Sequence, residues 1–378
     1  MKSNPHPSGR VPGGQPVLAM SSLGRLGRFG NQVMQYFFLR ICAEKSGARI
    51  QCPPWLGNRL FGFQDGPVTC RLPLAIERWE AGANMFDQLP ELIPYLEKMT
   101  GATGTRIGVE ALERGLSDVD LWGHFQYHTR HYRPHRNAFQ ALFQPAPALK
   151  ADLDAALARL RANGRTLIAI HLRCGDFRRL PHFGFTLCVP ARWWCDWLDG
   201  VWGQFERPIL FLCSDDLKPL LPQFDKYRAM ASRDLGLQWG ESRPELVDYI
   251  DFYVLSQADV VGISNSSFSF VASMMNERGR LFVRPHWDFT TRFSAFNPWD
   301  SQPLLYPGGS SPRLYKTCRE AMRAAYATGG CSEMARCIFI YAWGRAALKA
   351  NRMAWAAQAD GVKGVLKTVI RSSLRSQG

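Results

Sequence analysis

Polar side chains close three apolar segments in the second half of the chain. They are His171, Arg173 and Asp176 in TLIAIHLRCGD, Ser214, Asp215 and Asp216 in PILFLCSDD, and Ser264, Asn265, Ser266 and Ser267 in DVVGISNSS. The apolar parts read as buried strands, so the polar groups fall at strand ends. Cationic, acidic and hydroxyl groups therefore gather at positions where a sheet would bring them together.

The third cluster stands directly before a helical pattern, SSFSFVASMMN. Free N–H groups and the positive dipole end of a helix favour a phosphate group, and the hydroxyls of Ser266 and Ser267 add donors. Arg173 could grip the same phosphate with two hydrogen bonds. Asp215 or Asp216 could accept N–H donors of guanine. This combination suits a nucleoside diphosphate.

Each feature also has a purely structural interpretation. The SNSS stretch and the Asp215–Asp216 pair are both good helix N-caps. Arg173 could form a structural ion pair, and His171 could be a hydrogen-bonded core histidine. The ligand interpretation depends on the convergence of three successive strand ends.

A second candidate site is the loop GRLGRFGNQ near the start of the chain. Its glycines have the spacing Gly24-x-x-Gly27-x-x-Gly30, which is neither the dinucleotide fingerprint nor a P-loop. Asn31 occupies the expected N-cap position of the following helix. We expect the loop to present Arg28 and Asn31 across a cleft.

The surrounding elements alternate between strand and helix. Strands are predicted in PVLAM and ARIQ near the start and in RLFVRP near the end, and helices after Asn31, after Asp216 and in ELVDYIDFYVLSQA. This order predicts parallel, doubly wound α/β sheets, in which ligands bind beyond the carboxyl ends of the strands.

Length and charge divide the chain. With 378 residues, two domains are expected, and we predict a disordered N-terminus over 1–15, an N-terminal acceptor-side α/β domain over 16–150, a C-terminal donor domain over 151–312 and a basic helical tail over 313–378. The net charge is +14, and the tail alone holds 12 Lys/Arg against 3 Asp/Glu. The tail could bind a membrane surface or pack on the protein body. No nucleic-acid motif accompanies this charge.

The ten cysteines form no C-x-x-C pair or zinc-ligand set, so we expect reduced thiols and no metal site. Neither a signal peptide nor a membrane span is predicted, which favours a cytoplasmic protein, with peripheral contact at the inner face of the membrane through the tail.

Five segments occur in an order that resembles a known family. They are GRFGNQVMQYFFLR, LWGHFQYHTRHY, HLRCGDF, LFLCSDDL and DFYVLSQADVVGISNSSFSF, within about Leu23 to Pro298. They resemble motifs of the GDP-fucose-dependent fucosyltransferases of the α1,2-, α1,6- and protein O-fucosyl types. The resemblance implies a GT-B-like architecture, with two Rossmann-like domains facing a cleft, and a metal-independent, inverting transfer of L-fucose from GDP-fucose to a glycan hydroxyl. The acceptor class expected is α1,2-type, in surface polysaccharide or glycolipid synthesis, and could be lipid-linked.

The resemblance also implies roles for individual residues. Arg173 would hold the β-phosphate and offset charge on departing GDP, with Asp176 as the second candidate catalytic residue. The other implied contacts are Arg28, Asn31, His171, Asp215, Asp216, Ser266, Ser267 and Phe268 for the donor, and His124 and Gln126 on the acceptor side. For the contact with guanosine, Asp216 is favoured over Asp215.

Two departures from the motifs leave other functions open. Cys174 replaces the second Arg of H-x-R-R-G-D-Y, and SFVAS replaces a double Trp. The alternatives are a transferase for another nucleotide sugar and a noncatalytic glycan- or membrane-binding module on the same scaffold.

Overall fold

A computed structural model describes most of the chain. The described residues are 15–78, 104–175, 189–285, 293–305 and, in the tail, Arg323, Tyr326, Cys331, Met334 and Ala335. Those five tail residues are helical. The remainder of the predicted tail, and residues 1–14 of the predicted disordered N-terminus, lie outside the described residues.

Ten strands form two five-stranded sheets. The strands are β1 (Val17–Ala19), β2 (Arg49–Gln51), β3 (Leu74–Glu77), β4 (Thr105–Ile107), β5 (Val119–Trp122), β6 (Thr166–Leu172), β7 (Pro208–Ser214), β8 (Val260–Ile263), β9 (Leu281–Pro285) and β10 (Phe293–Ala295).

Helices connect these strands and cover the sheets. They are α1 (Phe29–Ser46), α2 (Leu56–Phe61), α3 (Ala111–Arg114), α4 (Arg136–Leu142), α5 (Pro147–Arg161), α6 (Ala191–Val201), α7 (Trp239–Ser242), α8 (Val247–Gln257) and α9 (Ser267–Met275), with short 3-10 turns between several of them.

The two sheets belong to two α/β units, as the alternation predicts. The first has the strand order β2-β1-β5-β3-β4, with every pairing parallel. The second has the order β10-β9-β8-β6-β7 and is parallel except for the antiparallel edge strand β10. The predicted architecture of two Rossmann-like units is confirmed, whereas the exact domain boundaries stay a prediction.

Helix α1 belongs to the first unit and packs against the second. Its apolar residues are buried along nearly its whole length, and it ends at Gly47, whose φ of 67° is the left-handed conformation that favours glycine. Near the other end, the Phe29 ring meets Phe252 of α8 at 5.1 Å and Tyr249 of α8 at 5.8 Å between ring centroids. These aromatic contacts pack the start of α1 against the second unit.

Some expectations about local structure are wrong. The helix predicted after Asp216 is instead a run of turns followed by a 3-10 helix, Leu221–Tyr227, which has a proline in its first turn. Helix α1 begins at Phe29 with Arg28 as N-cap, so Asn31 lies inside its first turn. The sequence pattern did not predict β3, β4, β5 and β10, because strands of three or four residues carry too little periodicity to be recognised.

Candidate functional site

A cavity of about 690 Å³ lies where the two units meet. The first unit contributes residues of the glycine-rich loop and of α1, together with Pro54, Trp55 and Leu56. The second unit contributes residues that follow β6, β7 and β8 and residues around the start of α8. The cleft predicted between two facing domains is therefore present, and both candidate sites of the sequence line it.

The three polar strand ends are neighbours, as expected. Strand β6 lies between β7 and β8, with His171 in register with Cys213 and Ile263. The predicted residues that line the cavity are Arg28, Asn31, His171, Arg173, Asp215, Ser266, Ser267 and Phe268. The shared edge arises because parallel strands all end on the same side of a sheet.

Two helices begin at this cavity. The N-terminus of α1, at Phe29, and that of α9, at Ser267, both line it. Neither N-terminus has a side-chain cap among the described residues. The first N–H groups of a helix lack intrahelical acceptors and carry partial positive charge, so two such ends facing one space favour an anion.

Arg173 is oriented by Asp215. The Nε of Arg173 lies 3.1 Å from Oδ2 of Asp215. Oδ1 of the same carboxylate accepts from the backbone N–H groups of Cys174, at 2.8 Å, and Gly175, at 2.9 Å. Burial raises the pKa of Asp215, but these N–H groups and the Arg173 charge outweigh burial, so its pKa lies below the ordinary value. Asp215 is thus an anion that holds the Arg173 loop.

Cys174 corrects the expectation of reduced thiols. It is fully buried and disulfide-bonded. The C-x-x-C and zinc-ligand spacings considered in the sequence do not detect a disulfide that forms at another spacing. Disulfides are rare in proteins of the reducing cytosol, so this bond does not support the cytoplasmic location favoured by the sequence. The free cysteines in the described residues are Cys42, Cys52, Cys70, Cys195, Cys213 and Cys331.

His171 is buried on β6, and its ring lies beside the cavity. Its Nδ1 lies 2.9 Å from Oγ of Ser269 in α9. Burial, and secondarily the Arg173 charge, lower the pKa of His171 to about 3. The imidazole is therefore neutral at physiological pH and adds no charge to the site, so the positive charge there comes from arginines and helix ends.

Carboxylates line another part of the cavity, and the sequence interpretation did not assign them. They are Glu245, Asp248 and Asp251, at or near the start of α8. Oδ1 of Asp251 is buried and has no hydrogen-bond partner in the described residues. Burial and then the charge of Asp248 raise the pKa of Asp251 to about 7. Asp251 opens the family-like segment DFYVLSQ, which is the signal that could have identified it.

Trp55 is a second cavity residue without a predicted role. It is buried and lines the cavity, and its ring lies tilted against that of Tyr36 of α1, with 5.1 Å between ring centroids. It ends the proline-containing CPPW stretch after β2. Its place beside the glycine-rich loop makes it part of the first unit's wall.

The glycine-rich loop is shaped around Asn31. Gly27 has a φ of 76°, and a Cβ there would collide with the Asn31 side chain. Gln126, which follows β5, donates from Nε2 to Oδ1 of Asn31. Gln126 does not itself line the cavity, so it reaches the site only through Asn31.

The remaining predicted residues lie elsewhere. His124 is outside the cavity lining; its backbone N–H donates to Oε2 of Glu77 at 2.6 Å, and burial lowers the pKa of its imidazole to about 4. Asp216 also is not among the lining residues, and its N–H donates to Oγ of Ser214 at 3.0 Å. Asp176 lies outside the described residues.

The described ranges contain neither a candidate metal site nor a candidate membrane span. There, no three His, Cys, Asp or Glu side chains are grouped so as to hold a metal ion. No helix within those same ranges combines the length and apolar character needed to cross a membrane.

Comparison with known proteins gives similarity only at the level of solved structures. No protein-family model and no curated protein matches the chain. The fucosyltransferase NodZ from Bradyrhizobium has a TM-score of 0.49 and 13% identity over 75% of this chain and 99% of its own. NodZ α-1,6-fucosyltransferase soaked with GDP-fucose has a TM-score of 0.48 and 13% identity over the same shares.

A third similar structure is POFUT1 in complex with GDP. Its TM-score is 0.40, with 13% identity over 70% of this chain and 95% of that one. The solved structures that resemble this chain thus include fucosyltransferases, the group that its sequence motifs resemble. All three TM-scores are below 0.5, so the likeness does not assign a function, which has to come from the residues of the site.

Proposed function

We propose that the chain is an inverting glycosyltransferase that moves L-fucose from GDP-fucose to a hydroxyl group of a glycan acceptor. The observation that carries the proposal is the meeting of two uncapped helix N-termini, those of α1 and α9, with Arg28 and Arg173 at one interdomain cavity. Two helix ends and two guanidinium groups match the charge and the acceptor-rich surface of a diphosphate.

The positive groups are suited to the leaving group. When the acceptor oxygen bonds to C1 of fucose, the bond from C1 to the β-phosphate oxygen breaks, GDP departs and the acceptor proton is released. Negative charge therefore grows on the β-phosphate. Arg173, oriented by Asp215, and the first N–H groups of α9 would stabilise that charge without rearranging. This source of charge compensation is why we propose a reaction that needs no metal.

The acidic side of the cavity is suited to a guanine base. The N1–H and the 2-amino group of guanine are adjacent donors, and a carboxylate can accept from both. Asp251 has a buried Oδ1 without a hydrogen-bond partner in the described residues, and it lines the same cavity as His171. Asp215 already accepts from two N–H groups and contacts Arg173, and Asp216 does not line the cavity, so we assign the base contact to Asp251.

The acceptor would enter from the first unit. Asn31, which the resemblance assigns to the donor sugar and phosphates, lines the cavity from α1, and Gln126 of the acceptor-side segment donates to it. The motifs favour an α1,2-type linkage in a surface polysaccharide or glycolipid, with a lipid-linked acceptor reached through peripheral membrane contact of the tail. Asp176 stays the candidate catalytic base next to Arg173.

The test is a donor-hydrolysis and binding screen, because donor turnover is visible without knowledge of the acceptor. Calorimetry with GDP, GDP-fucose, GDP-mannose and UDP-sugars should show binding of GDP and GDP-fucose, and loss of that binding in Arg173→Ala. A preference for another nucleotide sugar would support the alternative transferase. Nucleotide binding without release of GDP under any acceptor panel would support a noncatalytic module, and no nucleotide binding at all would overturn the proposal.

A further inference from the structure

We propose that Ser269 is a positioning residue that holds the neutral His171 ring in the tautomer with its proton on Nδ1, so that Nε2 is presented to the cavity as a hydrogen-bond acceptor. Ser269 does not line the cavity and would act only through His171. The inference rests on the proposed function for its ligand, but the tautomer itself can be observed without any ligand.

Ser269 and His171 are within hydrogen-bond distance of each other. Ser269 is in the first turn of α9 and is fully buried, and its Oγ lies 2.9 Å from Nδ1 of His171. The same Oγ lies 3.4 Å from the backbone oxygen of Ser266, to which its hydroxyl can donate. A serine hydroxyl has a single proton and can accept through its lone pairs.

The two neutral tautomers of His171 differ in the number of hydrogen bonds that they allow. With the proton on Nδ1, His171 donates to Ser269 and the Ser269 hydroxyl donates to Ser266, so two bonds form. With the proton on Nε2, Ser269 donates to Nδ1 and its contact to the Ser266 oxygen is lost, so only one bond forms. The first tautomer makes one more hydrogen bond among buried groups, so it is favoured.

The surroundings of the His171 ring disfavour its charged form, the imidazolium. The groups that surround the ring are Arg173 and Asp215 beyond the ends of β6 and β7, and Phe268 and Ser269 on α9, with the Phe268 ring centroid at 5.3 Å. Burial and the Arg173 charge disfavour the imidazolium, although Asp215 partly opposes them. The ring therefore stays neutral, and its choice is between two tautomers.

The tautomer with an unprotonated Nε2 restricts which ligand groups His171 can bind. A nucleotide group that meets Nε2 of His171 has to be a donor, either an N–H of the base or a hydroxyl of the ribose. Asp251 is also an acceptor on this cavity wall. The two acceptors together would select a nucleoside edge rich in donors, and Ser269 would contribute to that selectivity without contact with the ligand.

The direct test is NMR on the full chain with ¹⁵N-labelled histidine. The chain has eight histidines, so the His171 signals are identified by their absence in His171→Asn. We expect a neutral ring with protonated Nδ1 and unprotonated Nε2 from pH 5.5 to pH 8. A protonated Nε2, or an imidazolium signal in that range, would overturn the proposal whatever the protein binds.

Two variants on the same helix supply the functional readout. In Ser269→Ala we expect the tautomer to shift toward protonated Nε2 and GDP affinity to fall about tenfold, as for loss of one buried hydrogen bond. Ser273→Ala is the matched control: Ser273 is equally buried and one turn further along, but its hydroxyl donates to the Ser269 backbone oxygen. We expect it to keep the wild-type tautomer and affinity.

Equal loss of affinity in the two variants, or an unchanged tautomer in Ser269→Ala, would contradict the positioning role. If Ser269→Ala does not fold, the wild-type spectrum alone decides the tautomer. If the wild-type protein binds no GDP, the proposed nucleotide site fails, while the tautomer is still read from the same spectrum.

Discussion

Gly30 of α1 lies directly against the backbone of Ser267 at the start of α9. A Cβ on Gly30 would stand 2.5 Å from the carbonyl carbon of Ser267 and 2.5 Å from the backbone nitrogen of Phe268. Only glycine permits this approach, and the approach is what brings the two helix N-termini to one cavity.

Gly30→Ala should therefore separate the two helix ends. We expect a loss of about 1–3 kcal/mol in the free energy of unfolding, the usual cost of overpacking, together with weaker GDP binding. Thermal unfolding and calorimetry measure the two effects. Gly200→Ala is the control, because a Cβ at Gly200 meets nothing within 4 Å and alanine favours a helix. Wild-type GDP affinity in Gly30→Ala would contradict this account.

Arg173 and Arg165 flank the same strand, β6, at opposite ends. Arg173→Ala should weaken GDP binding by at least about 30-fold, because a hydrogen-bonded charge partner of the diphosphate is lost. Arg165 is exposed and pairs with Glu206 at 3.3 Å, away from the cavity, so Arg165→Ala should stay within about twofold of the wild type. Similar losses in both variants would indicate nonspecific attraction of an anion.

Asp215→Asn tests whether the carboxylate orients Arg173. The amide cannot balance the guanidinium charge. Its NH2 group, unlike a carboxylate oxygen, cannot accept from Arg173 or from the backbone N–H groups of Cys174 and Gly175. We expect GDP affinity to fall about tenfold, as when a charge-assisted hydrogen bond is lost. A variant with unchanged affinity and unchanged thermal stability would show that Arg173 needs no such support.

The raised pKa of Asp251 predicts a pH dependence of nucleotide binding. The carboxyl is protonated below about pH 7 and accepts two N–H donors only when ionised. GDP affinity should therefore rise with pH, by up to about tenfold per unit below the pKa, and level off above it. Asp251→Asn should bind more weakly and lose this component, which separates it from the titration of GDP itself.

The same carboxyl also affects the unliganded protein. Its pKa in the folded chain, about 7, lies above the ordinary value of 3.8. The folded state therefore binds the proton more tightly, and this contribution to stability is complete below about pH 4 and is lost as the pH rises through 7. Denaturant titrations should show that Asp251→Asn removes this decline, and an equally steep decline in the variant would assign it to another group.

Gln126 should affect turnover more than donor affinity. It contacts Asn31 from the acceptor-side segment and does not line the cavity. In Gln126→Leu we expect kcat for sugar transfer to fall about tenfold because Asn31 loses its orientation, with GDP affinity nearly unchanged. Gln144→Leu is the control, since Gln144 donates to the Gln140 backbone oxygen on α4. Loss of GDP affinity in Gln126→Leu would place Gln126 in the donor site instead.

Chelation tests the proposed source of charge compensation. If Arg28, Arg173 and the two helix ends balance the leaving diphosphate, donor hydrolysis should proceed at the same rate with EDTA as with added Mg²⁺ or Mn²⁺. A large loss in EDTA that Mg²⁺ or Mn²⁺ restores would show that a metal ion takes part.

Local patterns in the sequence determined the alternation of strands and helices, the parallel sheets and the three polar strand ends. These features could be predicted because apolar periodicity and strand-end polarity are properties of neighbouring residues. They also placed Arg173, His171 and Ser266 on one edge, since parallel strands must end on the same side.

Only the tertiary structure decided what those residues do to one another. Arg173 pairs with Asp215 and Gln126 contacts Asn31, although these partners lie about 40 to 100 positions apart in the sequence. Asp251 lines a cavity to which both units contribute residues. Such contacts depend on how helices pack across sheets, and no local pattern encodes them. The glycine-rich loop shows both levels: its glycines are visible in the sequence, but the approach of Gly30 to Ser267 exists only in the packed fold.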